Sequence, residues 1–163
     1  CNDCLELLRG KTKKTKKQKK RKSKKKTARY WRPKAKAAFQ KWVRLRDANE
    51  DGICTCVTCG RQMFWSKNCD GGHYRSARFN STCFDERNVH AQCKGCNGHR
   101  MDQIETLQEF ERQIDKRCGK GTAKELREKS LITKRMTSAE YEAIYREYTA
   151  KGKDLAAKKG LKY

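Results

Sequence analysis

The chain has 163 residues, enough for one ordinary domain, and a net charge of +23 from 42 Lys and Arg against 19 Asp and Glu. Hydrophobic residues make up 35% and charged residues 37%, so the core is small and a bound metal is expected to contribute to folding. No apolar run approaches the roughly 20 residues of a membrane-spanning helix. The charge points to a polyanionic partner, nucleic acid by default.

The chain opens on Cys1-Asn-Asp-Cys4 with no Met ahead of it. The expectation is a piece of a longer protein, with this pair as half of a zinc site whose partners are missing. Ten cysteines without a secretory leader read as metal ligands in a reducing cytosol, not as a disulfide framework. In the next run, Lys11 to Lys26, twelve of sixteen residues are basic. Like charges keep such a run extended or disordered when free. Lys13, Lys14, Lys16, Lys17, Lys19, Lys20, Arg21 and Lys22 are expected to track phosphates. The run carries no aromatic residue, which predicts backbone contacts with little base readout. Residues 1–29 thus stand apart from an ordered domain over 30–155 and a basic tail over 156–163.

Order is expected from Tyr30-Trp31, with Pro33 in the first turn of a helix. Ala35, Ala38, Phe39, Trp42 and Val43 recur at helical spacing on one face. Asn49-Glu-Asp-Gly52 is a turn, and Ile53 to Arg61 reads as a zinc knuckle. Met63 to Trp65, Gly72 to Arg75 and Asn88 to His90 read as short strands, with a helix beginning near Lys94. Ile104, Leu107, Phe110 and Ile114 form a further amphipathic helix that stops near Gly119. Thr122-x-x-Glu125 and Thr137-x-x-Glu140 both fit capping boxes. Tyr141, Ile144, Tyr145 and Tyr148 mark one face of the last helix. The class is α+β.

The chemistry concentrates between Cys56-x₂-Cys59 and Cys93-x₂-Cys96. Four thiolates at this spacing suit a closed structural zinc site. A plain zinc ribbon does not need the polar residues that lie inside and just after it. His73 fits a general base, because an imidazole titrates near neutral pH. Asn88 fits a residue that holds a hairpin and orients that base. Asn97, directly after the last cysteine, can reach inward to a divalent cation. Asn88 and His90 lie two apart, so on a strand they share a face, which would put His90 near the same ion. His99 and Arg100 are expected at phosphate, with Arg75. The acidic ligand is open. Asp70 stands three residues before His73, opposite in strand parity, with Gly71-Gly72 able to bend the chain; Asp85 and His90 are substitutes. Cys54 competes with Cys56 for the zinc.

This ordered set resembles the phage lambda NinG (Rap) recombination endonucleases, of the HNH or ββα-metal type. The likeness rests on Tyr30-Trp31, Arg44-Leu-Arg-Asp47, Cys56-x₂-Cys59-Gly60 and Asp70-Gly-Gly-His73-Tyr74-Arg75. It continues through Glu86-Arg-Asn88-Val-His90-x-Gln92-Cys93-x₂-Cys96-Asn97-x-His99 and Glu140 to Tyr148. The resemblance implies a zinc-clamped ββα-metal core with flanking helices. It also implies a phage protein in the host cytoplasm that cuts branched DNA, such as Holliday junctions and D-loops, with Mg²⁺ or Mn²⁺. Asn97 also matches a catalytic-metal ligand of the endonuclease VII group. Many HNH enzymes have a metal-binding Asp immediately before the base; here that position is Gly72. Two nicks across a junction imply a homodimer, expected on the C-terminal helices. A host recombinase is a possible partner to which no residue points. The alternative reading is a non-catalytic, zinc-stabilised DNA- or RNA-binding protein, which charge and knuckles explain equally well but the enclosed polar residues do not.

Overall fold

The computed structural model describes residues 26–163. The Cys1–Cys4 pair and the phosphate-tracking residues expected at Lys13 to Lys22 lie outside these. The described residues form a mixed α+β fold. Helix α1 (Ala28–Asp47) is followed by β1 (Ile53–Thr55), β2 (Gln62–Phe64) and β3 (Cys69–His73). A 3₁₀ turn (Glu86–Asn88) leads into β4 (Val89–Cys93), and a π-helical turn (Gly95–His99) follows it. Helices α2 (Ile104–Cys118), α3 (Thr122–Leu131) and α4 (Ser138–Lys158) complete the order. No described helix is long and apolar enough to cross a membrane.

Two antiparallel hairpins carry the centre. β1 pairs with β2, and β3 pairs with β4 in the register Cys69↔Cys93, Asp70↔Gln92, Gly71↔Ala91, Gly72↔His90 and His73↔Val89. Directly opposed residues share a face. Gly71 and Val89 face α1. A Cβ on Gly71 would come within 3.1 Å of the Gln40 backbone, and Val89 clusters with Phe39, Val43 and Tyr148. On the other face His90 meets Phe110 of α2 edge to face. α2 and α3 close that side through Phe110, Ile114, Ala123 and Leu126.

α4 lies along α1. Tyr148 packs edge-on against Phe39 and Trp42, so the tyrosine face read from the sequence is core. Its N-terminus has the expected capping box at Thr137 and Glu140. The box expected at Thr122 does not form: Gly121 takes the N-cap at φ +91°. Thr122 instead donates to the Cys118 carbonyl, and Glu125 pairs with Arg87.

Three further boundaries differ from the sequence reading. α1 begins at Ala28, so Pro33 lies inside the helix and not in its first turn. Asn88 closes the 3₁₀ turn and does not open β4. The basic tail read at 156–163 begins inside α4, which runs to Lys158. Ala156 is buried and Leu161 and Tyr163 pack on the cluster around Leu45 and Trp65, with the Tyr163 ring beneath Lys41.

Candidate metal clamp and active-site cleft

The Sγ atoms of Cys56, Cys59, Cys93 and Cys96 lie within 4.8 Å of one another, and those of Cys59 and Cys93 are 3.8 Å apart. A tetrahedron with zinc–sulfur bonds of about 2.3 Å has edges of about 3.8 Å. The four cysteines could therefore hold a metal ion such as zinc. The knuckle after β1 supplies two ligands, and the end of β4 with its π-helical turn supplies the others. The backbone N–H of Cys93 donates to Cys56 Sγ at 3.3 Å, and Thr58 Oγ1 lies 3.3 Å from the same sulfur. Burial opposes ionisation of Cys56, but these bonds outweigh it and lower the thiol to about 6. Cys54 does not join the clamp. Its thiol donates to the Arg44 carbonyl at 3.2 Å.

Beside the clamp, a cleft is lined by Lys36, Gln40, His73, Arg75, Asn97 and Asp102, among others. It draws on α1, β3 and the turn after β4. Gln40 Nε2 donates to the Gly71 carbonyl at 3.0 Å, which seats α1 on β3 and carries Lys36, one turn earlier, to the cleft wall. His73 ends β3. Its Nε2 lies 3.0 Å from the Cys83 carbonyl oxygen; a carbonyl only accepts, so Nε2 carries the proton and the lone pair of the neutral ring is on Nδ1. Burial, aided by the charge of Lys36, pushes His73 down to about 4 against the pull of the Cys83 and Gly71 carbonyls.

Asn88 is fully buried. Its Oδ1 accepts from the Arg75 N–H at 2.7 Å, and its Nδ2 donates to the carbonyls of Arg75 and Thr82, each at 2.9 Å. It thereby ties the loop that follows His73 to the residues just before Cys83. Arg75 lines the cleft with its Nε on Ser130 Oγ at 3.0 Å.

Asp70 and Asn97 meet: Asn97 Nδ2 lies 3.1 Å from Asp70 Oδ2. A carboxylate and an amide side by side suit Mg²⁺ or Mn²⁺, which prefer oxygen ligands. A second observation fits a cation here. Gln92, opposite Asp70 in the register, holds a buried side-chain oxygen with no hydrogen-bond partner.

The substitute ligands go elsewhere. His90 is buried with Nδ1 3.1 Å from Arg46 Nη2 and 3.7 Å from Asp47, and Nε2 on the Arg87 carbonyl. Both ring nitrogens are engaged away from the Asp70–Asn97 pair. The expectation that His90 shares a face with Asn88 fails because Asn88 belongs to the turn, not the strand. Asp85 caps that turn and binds Arg87 and Lys129. His99 and Arg100 are exposed and do not line the cleft.

Sequence reasoning missed Lys36 and Gln40, which reach the cleft only through the packing of α1, and Asp102. It also missed a basic surface beside the cleft. Arg29, Arg32, Lys36 and Arg78 line one continuous surface that joins the cleft. None of the four has a carboxylate partner among the described residues, whereas Arg87, Arg127, Lys129, Arg146 and Lys151 are paired.

A family model described as Bacteriophage Lambda NinG protein matches residues 3–158. Protein NinG of Salmonella phage P22 is 35% identical over 127 residues, which cover 77% of this chain and 58% of that protein. Protein NinG of Escherichia phage lambda is 34% identical over 127 residues, 77% of this chain and 57% of that protein. The chain therefore spans less than two thirds of these relatives. No solved structure matches it.

Proposed function

The chain belongs to the NinG family of lambdoid phages, and from that premise we propose that it is a metal-dependent endonuclease of the HNH, ββα-metal type. Its substrate is branched double-stranded DNA, as in Holliday junctions and D-loops, and its place of action is the cytoplasm of the bacterial host. The observation that carries this reading is the Asp70–Asn97 pair, with Asn97 lining the same cleft as His73 and directly following Cys96 of the metal clamp.

His73 Nδ1 takes a proton from the attacking water, because Nε2 is committed to Cys83 and the lowered pKa keeps the ring neutral at pH 7. Asn88 holds both the loop after His73 and the turn that presents Cys83, and so orients the ring. Asp70 and Asn97 would hold Mg²⁺ or Mn²⁺, which when bound supplies charge at the phosphate and the leaving oxygen. Lys36 and Arg75 add fixed positive charge in the cleft. The unpaired cations of α1 and Arg78 lead away from it and suit the backbone of a duplex arm. Two nicks on one junction call for two copies of the chain. The tyrosine face of α4 is covered by α1, so the pairing uses other surfaces.

A non-catalytic nucleic-acid binder shares the clamp and the cations, but gives no use to the Asp70–Asn97 pair. Incubation with a labelled four-way junction, with Mg²⁺ or with a Mg²⁺ chelator, separates the two. The nuclease nicks only with Mg²⁺. Binding without nicking in either buffer supports the binder.

A further inference from the structure

Gly72 stands immediately before His73, where an acidic ligand is missing. A Cβ built there would lie 2.1 Å from Gln92 Oε1. The space beside Gly72 is thus already filled by an oxygen from the neighbouring strand. We propose that Gln92 contributes this side-chain oxygen as a third ligand to the divalent cation of the Asp70–Asn97 site, replacing a carboxylate from position 72. The inference rests on the nuclease reading for its purpose, but not for its geometry.

Four observations converge on Gln92. It is fully buried, and its Oε1 has no hydrogen-bond partner. Buried amide oxygens are almost always satisfied, so an orphan marks a place where a ligand belongs. The other end of the amide is held: Nε2 lies 3.3 Å from Thr58 Oγ1 and 3.2 Å from Met101 Sδ. These contacts direct Oε1 towards Gly72 and away from the clamp. In the antiparallel register Gln92 stands directly opposite Asp70, whose carboxylate meets Asn97. The three side chains come from β3, β4 and the turn after β4, and all offer oxygen. Such a set selects a hard cation and leaves zinc to the thiolates.

Gly72 then has a specific reason. Any side chain there would displace the Gln92 oxygen. Thr58 also gains a role: its hydroxyl lies 3.3 Å from both Cys56 Sγ and Gln92 Nε2, so it connects the clamp to the second site. Met101, which lines the cleft, covers Gln92 and is flexible enough to give access.

The test is Mn²⁺ binding to the zinc-loaded protein, read by the electron paramagnetic resonance of free Mn²⁺. Gln92→Leu is expected to weaken Mn²⁺ binding by about tenfold or more, and Gln92→Glu, which restores a carboxylate, to bind as tightly as wild type or tighter. Zinc content and circular dichroism confirm folding, and Gln92→Glu serves if the Leu variant fails to fold. Wild-type affinity in Gln92→Leu, weakened binding in Gln92→Glu, or no Mn²⁺ binding by the wild type overturns the proposal. Junction cleavage on the same samples separates it from the parent reading. Cleavage with unchanged Mn²⁺ affinity in Gln92→Leu removes Gln92 from the site and leaves the nuclease. Weakened Mn²⁺ binding in Gln92→Leu with no wild-type cleavage keeps the site and removes the reaction.

Discussion

His73 Nε2 donates to the carbonyl oxygen of Cys83 across 3.0 Å. That bond sets the tautomer of the proposed base, and Asn88 sets the bond, since it binds the carbonyls of both Arg75 and Thr82. Asn88→Ala leaves the partly buried N–H and carbonyl of Arg75 without partners and removes one of the two donors to the Thr82 carbonyl, which keeps the Asp85 N–H. It is expected to cost about 2–3 kcal/mol of stability and to lower the cleavage rate together. Urea unfolding and junction cleavage measure the two effects. A stable variant with unchanged rate contradicts this role.

His73 also predicts a pH dependence. Its folded value, about 4, lies below the ordinary 6.5. Between these values the unfolded chain binds a proton that the folded chain does not. The stabilisation is therefore present above pH 6.5 and is lost as pH falls towards 4. Wild type should lose more stability than His73→Asn between pH 7 and pH 5, read from urea midpoints. Equal losses in both proteins count against the buried, neutral ring.

Asp47 is predicted to be a stability residue. Its carboxylate receives Arg46 Nε and the Ala91 N–H, each at 2.7 Å, and faces His90 Nδ1 at 3.7 Å. Burial alone would raise its pKa, but the bonds from His90 and Arg46 hold it well below the usual carboxylate range. Asp47→Ala strands these groups and should cost about 3 kcal/mol. Denaturant unfolding at pH 7 checks it, and a change under 1 kcal/mol is the contrary result.

Much of this site is legible in the sequence, for reasons that differ by residue. The clamp is legible because C-x₂-C spacing places two sulfurs on one knuckle whatever the surrounding fold. Asp70, His73 and Asn97 are legible because they sit at fixed steps from the cysteines. Lys36 and Gln40 are not, because only the close approach of Gly71 to Gln40 brings α1 to the cleft. His90 is misplaced because its parity is counted from Asn88, which the 3₁₀ turn removes from the strand. Gln92 needs the register to be seen at all. It is an ordinary amide until Asp70 is known to stand opposite.

The clamp predicts one tightly held zinc per chain, measured by atomic absorption after dialysis. Cys96→Ser should lose it and lower the melting temperature. Cys54→Ser, whose thiol lies on the Arg44 carbonyl, should retain it. Zinc loss in Cys54→Ser instead would place the clamp wrongly.

The unpaired cations predict a salt effect. Each phosphate contact contributes about 0.9 to the slope of log K against log salt for duplex DNA. Replacing Arg29, Arg32 and Lys36 by Gln should reduce that slope by roughly 2–3, equally for unrelated sequences. Fluorescence anisotropy in Ca²⁺ buffer measures it without cleavage. An unchanged slope removes this surface from the DNA path.

The most direct test of the nuclease is the Mg²⁺-dependent cleavage of a four-way junction by wild type and by His73→Ala under single-turnover conditions. Wild type should nick the junction, and the variant should bind it with similar affinity yet cut at least 100-fold more slowly, in line with the loss of a general base. Equal cutting by His73→Ala would contradict the account.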